Sequence, residues 1–330
     1  MNRRQWLSAY PILLLNACRG RRSLHKLRVS AFPGTSASGL YLAEEAGCFQ
    51  SLGLEVEIRL TSSTPQTVPL LASGQLDASF GALSAAFLNA AARGLPIRIV
   101  AVLDRASPRC GGTGTLYGRR AVFPEGLTNL RRLKGRRVAI SARSGVSGFF
   151  LDILLGTAGM SSGDVQVVEL RQEEAVAALV GGNIDAAVCS HGELELDALS
   201  SKIVRGLSVG EVFPDLQYSF AMFGPSLLGA PPEIGIRFLT AYFRGARDYQ
   251  LGKRPRALRE LARAARPELK LAREACHWSA GAEEIIDPHS VQRFLDWALR
   301  KGFCRRKPEL AQLIDTRYLG EAQRRFRDGA

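Results

Sequence analysis

The sequence predicts an α/β fold built as two similar lobes, and two observations predict it. The first is a phrase that occurs twice. Leu71-Ala72-Ser73-Gly74-Gln75-Leu76-Asp77-Ala78 returns as Leu179-Val180-Gly181-Gly182-Asn183-Ile184-Asp185-Ala186, both reading L-x-x-G-x-[LI]-D-A. Each copy follows a short apolar helical stretch and runs into a small apolar strand, at 78–80 and 186–188. A helix ending at glycine, a tight turn and an aspartate opening a strand make one αβ corner of a parallel sheet. The second observation is a β–α alternation along most of the chain.

Residues 27–32 alternate as a first strand, broken by Pro33-Gly34-Thr35-Ser36. Residues 38–50 then read as one amphipathic helix with Leu40, Tyr41, Ala43 and Phe49 inward. Residues 54–60 alternate as a strand, Val56 and Ile58 against Glu55, Glu57 and Arg59. A helix from Thr64, with Pro65 at an early helical position, leads into the first repeat. After it, Gly81-Ala82-Leu83-Ser84 opens a helix to Arg93, and 96–103 form an apolar strand. Residues 105–127, holding Cys110-Gly111-Gly112-Thr113-Gly114-Thr115, read as an irregular crossing between lobes. A strand at 137–141, a helix opened by Ser144-Gly145-Val146-Ser147 and a strand at 165–170 follow. The helix from Glu173 carries the second repeat, whose strand ends at Ser190-His191-Gly192-Glu193. The chain returns to the first lobe near 218–223, and 231–251 form a long helix with Ile234, Phe238, Leu239, Tyr242 and Phe243 inward. The expected organisation is a first lobe of 27–115 and 221–330, with a second lobe of 116–220 inserted into it.

A chain of 330 residues has room for two lobes, and 46% hydrophobic with 23% charged residues is ordinary for a globular protein. The net charge of +13 is partly local, because Arg3, Arg4, Arg19, Arg21, Arg22 and Lys26 fall in an N-terminal stretch without acids. Elsewhere arginines often adjoin acids, as in Arg247-Asp248 and Arg259-Glu260, and form no compact basic stripe with interleaved aromatics. Nucleic acid is therefore not an expected partner. Mild positive charge favours attraction of an anionic solute.

The first eighteen residues read as an address. A basic start at Asn2-Arg3-Arg4-Gln5-Trp6-Leu7, a short apolar run at 10–15 and Leu15-Asn16-Ala17-Cys18 make a lipoprotein-type signal peptide, although Asn16 is unusual there. The run is too short to span a bilayer as a helix. Processing leaves Cys18 as the lipidated first residue and 19–26 as a basic tether near anionic headgroups. Arg3-Arg4 before Gln-Trp-Leu also resembles a twin-arginine export signal, and a plain basic N-terminus is the other reading. Of the remaining cysteines, none shows C-x-x-C spacing; Cys276 and Cys304 are read either as a disulfide or as two free thiols. Cys276-His277, His289 and Cys304 do not match a zinc pattern, so no metal or cofactor is expected.

Several local phrases then carry a resemblance: Gly39-Leu40-Tyr41-Leu42-Ala43-Glu44-Glu45-Ala46-Gly47-Cys48-Phe49, Gly53-Leu54-Glu55-Val56, both repeat corners, Leu133-Lys134-Gly135-Arg136-Arg137-Val138-Ala139, and Leu313-Ile314-Asp315-Thr316-Arg317-Tyr318-Leu319. In number and order they resemble the substrate-binding proteins of bacterial ABC importers, in the branch with sulfonate, taurine, nitrate and thiamine-precursor binders. That resemblance implies a type II periplasmic-binding-protein fold, two lobes with mixed sheets closing over a solute. It also implies an exported, monomeric protein serving a permease with a separate ATPase.

Ligands of open α/β sheets bind beyond the carboxyl ends of the strands. The residues placed there are Thr35 and Ser36, then Gly81, Ala82 and Ser84, and in the second lobe Ser144, Gly145 and Ser147. Free backbone N–H groups, small side chains and hydroxyls suit an anionic head group. Ordinary N-capping by the same serines is the competing reading. His191 is read as a possible hydrogen-bond donor to solute, Tyr218 and Phe220 as a stacking wall, and Arg143 as a pocket cation. Catalysis finds little support: Gly145-Val146-Ser147-Gly148 misses the G-x-S-x-G elbow by one residue, and glycines 111, 112 and 114 lack a following Gly-Lys-[Ser/Thr]. The alternatives are an enzyme of pyrimidine or thiamine-precursor type on this scaffold, whose dense cysteine motif the chain lacks, and a solute sensor.

Overall fold

A computed structural model describes residues 24–32, 35–61, 64–108, 114–189, 201–253, 255–256 and 282–329. The chain opens with β1 (His25–Ala31), a 3-10 turn at Thr35–Ala37, α1 (Ser38–Glu45) and α2 (Cys48–Ser51). There follow β2 (Leu54–Leu60), α3 (Thr64–Ala72), β3 (Ala78–Ala82), α4 (Ala85–Ala92) and β4 (Arg98–Arg105). The second series is β5 (Thr115–Arg119), β6 (Arg137–Ile140), α5 (Val146–Gly156), β7 (Gln166–Glu169), α6 (Gln172–Gly181), β8 (Ala186–Cys189) and β9 (Ile203–Ser208). Then come α7 (Val209–Val212), β10 (Gln217–Phe223), α8 (Pro225–Leu228), α9 (Pro232–Gln250), α10 (Pro288–Arg300), α11 (Leu310–Leu313) and α12 (Leu319–Arg327).

Two five-stranded sheets result, ordered β2-β1-β3-β10-β4 and β7-β6-β8-β5-β9. They share one pattern. In each, the fourth strand in order is antiparallel to its neighbours, and that strand is the one arriving from the other sheet: β10 in the first, β5 in the second. The mixed sheets follow from the chain passing from one sheet to the other after β4 and back after β9. Thr115, assigned by sequence to the first lobe, opens a strand of the second sheet; Gln217 to Phe220, assigned to the second, lie in the first.

The doubled phrase builds the same corner twice. Gly74 and Gly182 take φ of +74° and +84°, left-handed values that end each helix. Asp77 accepts from the Arg28 backbone N–H at 2.7 Å, from its Nε and Nη2 at 3.1 Å each, and from Ser226 Oγ at 2.6 Å. Arg28 Nη2 also donates to the Gly74 carbonyl at 2.7 Å. Asp185 repeats this, accepting from the Arg137 backbone N–H at 3.0 Å, while Arg137 Nη2 donates to Gly182 O at 3.2 Å. Burial opposes ionisation of Asp77, but the bonds from Arg28 and Ser226 outweigh it and hold its carboxyl below the usual range.

Some sequence expectations change. The single helix over 38–50 is two, broken at Ala46-Gly47. The stretch 105–127 expected to be irregular holds β5, and β9 is a strand that the sequence pattern does not predict. Each contains a glycine inside the strand that masks its pattern: a Cβ on Gly118 would press on Phe123 at 2.6 Å, and one on Gly206 would meet the Leu127 and Leu116 carbonyls at 3.0 and 3.1 Å. Gly81 and Ala82 are strand residues of β3 rather than a helix-opening loop.

The first sheet's core is aromatic. Phe80 on β3 meets Phe238 and Tyr242 of α9 edge-on, and Phe223 on β10 packs on Phe238 and Tyr318. The long apolar face of α9 was legible in the sequence at Phe238, Leu239, Tyr242 and Phe243, all buried.

Candidate functional site

The carboxyl ends of β1, β3, β6 and β8 mark where a solute would sit. Two of the nominated segments meet there. Ser84 and Gly145 form an isolated antiparallel bridge, and the Ala85 N–H donates to the Ser144 carbonyl at 2.9 Å. The N-terminus of α4 in the first sheet thus abuts the loop that opens α5 in the second.

Most of the nominated groups are already engaged by the fold. Ser84 Oγ accepts from the Phe87 N–H at 3.3 Å and caps α4, the bland reading of that serine. Ser147 Oγ accepts from the Ala142 N–H and Ser141 Oγ, both at 2.9 Å, and donates to Ala142 O at 3.1 Å. Gly81 and Ala82 pair with Phe220 and Ser219 of β10. Arg143, read as a pocket cation, is turned away: its Nε lies 3.1 Å from Glu169, and Nη2 donates to Val167 O at the edge strand. Phe220 is buried within the sheet, whereas Tyr218 meets Phe150 of α5 edge-on at 5.2 Å, across the two sheets.

Ser36 and Ser144 are half-buried, and no hydrogen bond engages their hydroxyls among the described residues. Thr35 opens the 3-10 turn after β1. Gly145 is the buried N-cap of α5, with no side-chain cap bond. His191, Cys18 and Cys276 lie outside the described residues. Cys304 is a buried free thiol that donates to the Arg306 carbonyl.

Two hydroxyls that sequence reasoning passed over stand out. Ser38 Oγ and Tyr41 OH, in the first turns of α1, are buried and have no hydrogen-bond partner among the described residues. Burial pushes the Tyr41 phenol above its ordinary range, which keeps it a neutral O–H donor. No side chain caps α1. The sequence signal was Ser38 three residues before Tyr41, spacing that shares a helical face.

Beyond the Ser84–Gly145 contact, α10 joins the two sheets' layers. It packs on β10 and α4 of the first and on α5 of the second. Phe149 of α5 meets Phe294 and Trp297 at 5.5 and 5.4 Å. Asp152 accepts from Trp297 Nε1 at 2.8 Å and from Lys301 Nζ at 2.9 Å to its nearer oxygen. Burial opposes the Asp152 charge, but the bonds from Trp297, Lys301 and the Ser162 N–H hold its carboxyl below the usual range.

At the end of β8, burial pushes the Cys189 thiol up to about 12, so it stays protonated and is a poor nucleophile. Among the described residues no group of three His, Cys, Asp or Glu is placed to hold a metal ion, and no helix is long and apolar enough to cross a membrane.

Known proteins share this arrangement. A protein of Brucella abortus (strain 2308), named as a binding protein, is 26% identical over 234 residues, covering 67% of this chain and 65% of its own length. The chain therefore spans slightly under two thirds of that relative. Among solved structures, the nitrate-binding protein NrtA of Synechocystis PCC 6803 superposes with a TM-score of 0.66 at 15% identity, over 91% of this chain and 89% of its own. The alkanesulfonate-binding protein SsuA of Xanthomonas axonopodis pv. citri, bound to MOPS, gives 0.64 at 17%, over 88% and 98%. The desulfurization enzyme DSZB gives 0.61 at 16%, over 91% and 99%. These likenesses establish the periplasmic-binding-protein fold expected from the sequence. A family model described as NMT1/THI5 like matches residues 35–249. With that match covering both corners and every strand except β1, the chain belongs to the NMT1/THI5-like family.

Proposed function

We propose that this protein is the exported, solute-binding component of an ABC importer. It captures one small anionic solute, sulfonate-, nitrate- or pyrimidine-like, by closing two lobes over it, and presents it to a permease with a separate ATPase. The observation that carries this reading is the contact between the segments that follow β3 and β6, where the Ser84–Gly145 bridge joins the two like sheets beyond their carboxyl ends. A cleft between two lobes suits capture by closure, because solute contacts to both lobes favour the closed state. The N-terminal address supports export with a lipid on Cys18, a basic tether at 19–26 and a monomer at the extracytoplasmic face. Solute capture through Thr35, Ser36, Ser144 and His191 belongs to this proposal. Gly81, Ala82, Ser84 and Ser147 serve as its frame.

The likeness to DSZB favours a second reading, an enzyme on the same scaffold. The protonated state of buried Cys189 weighs against a cysteine nucleophile at the end of β8. A thermal-shift panel of sulfonates, nitrate, carboxylates and pyrimidines tests the binding reading. A free solute concentration a hundred times Kd raises stability by about 2.7 kcal/mol, a shift of a few degrees for a chain of this size. A panel without any shift, or consumption of the compound that shifts, contradicts it.

A further inference from the structure

A hydroxyl can serve a solute only where the fold has not already engaged it. Ser84 and Ser147 fail that condition; Ser38 and Tyr41 meet it. Ser38 is 0% and Tyr41 5% exposed, and neither oxygen has a partner among the described residues. A buried hydroxyl left unpaired is costly, so two on one helix call for a missing acceptor.

Their placement says where that acceptor lies. Residues three apart share a helical face, so Ser38 and Tyr41 lie side by side. Gly39 fixes the rotation of α1, because a Cβ there would meet the Ala246 backbone of α9 at 2.9 Å; the face carrying Ser38 and Tyr41 is turned from α9. Long helical side chains lean toward the helix N-terminus, which carries the Tyr41 hydroxyl back toward Ser38. That end of α1 follows the carboxyl end of β1, and the turn leading into it lies against β3 and β4. It is the first sheet's side of the cleft. The uncapped helix end adds a partial positive field.

From this geometry we propose that Ser38 Oγ and Tyr41 OH join Thr35 and Ser36 as hydrogen-bond donors from the first lobe to the solute, and that the group they bind is an oxyanion. The assignment rests on the solute-binding reading above. It deepens that reading, since two neutral donors at a helix N-terminus suit an oxygen-bearing anion. The site then needs no arginine in the first lobe.

The test compares the full-length protein with Ser38→Ala and Tyr41→Phe, each lacking one oxygen. Calorimetric titration uses ethanesulfonate and nitrate as oxyanions and uracil as the pyrimidine. Melting is followed without any probe. The expected result is an oxyanion bound by wild type, affinity lower by about tenfold or more in each variant, and melting no lower than wild type. Unchanged affinity in both variants, or a lower melting temperature in either, overturns the hydroxyl assignment and leaves the transport reading standing. Uracil bound while both oxyanions are ignored overturns the oxyanion class. A wild type that binds none of the three sinks the anionic-solute reading, and this proposal with it.

Discussion

Asp77 shows how a repeated phrase can hold a fold rather than a ligand. Four donor groups converge on its carboxylate, three from Arg28 and one from Ser226, at the amino end of β3 rather than its carboxyl end. Its folded pKa lies below the unfolded value, so its contribution is present above that unfolded value, near pH 4, and is lost as pH falls through the folded one. Asp77→Asn is predicted to cost about 2 kcal/mol at neutral pH, the low end for a broken pair because Arg28 remains partly solvated. Urea melts at pH 7 and pH 3 should show that gap narrowing in acid; an equal gap at both would contradict the ion-pair account. Ser147 is the second residue whose role shifts from ligand to frame. Ser147→Ala strands the Ala142 N–H and is predicted to lower stability by about 1–3 kcal/mol while solute affinity changes little. A large affinity loss at unchanged melting temperature would restore it to the site.

At the scale of elements, α10 ties the two sheets' layers together. Trp297→Phe keeps the ring contacts with Phe149 and Phe294 but removes the donor to Asp152. The expected cost is about 1–3 kcal/mol, with faster amide exchange along α5; unchanged exchange there would show that the tie is held by apolar packing alone. The elements also mark how far the sequence could be read. The strand 54–60, the two corners and the apolar face of α9 follow from periodicity and capping, which are local signals. β5 and β9 were illegible because Gly118 and Gly206 sit where another chain segment presses close, a constraint set by packing at long range. Gly81 and Ala82 misled for the opposite reason: small residues before a serine cap look like a helix-opening loop, yet β10 arrives later in the chain and pairs with them.

The whole molecule is two copies of one plan joined by two crossings and by α10. The repeated phrase disclosed that plan, and the resemblance to importer binding proteins disclosed the fold. The site was less legible. Sequence can nominate hydroxyls at strand ends, but whether Ser84, Ser147, Ser38 or Tyr41 is engaged depends on atoms brought from elsewhere in the fold. A closing cleft predicts that a bound solute makes the protein more compact. Small-angle scattering should therefore show a smaller radius of gyration with solute than without; identical curves would mean that binding occurs without lobe movement. The most direct test of the central claim is native mass spectrometry of the protein as purified, followed by release of whatever it carries. The account predicts one small anionic compound per chain, recovered chemically intact after release. A compound recovered as a reaction product, or turned over on incubation, would contradict solute binding and make the protein an enzyme.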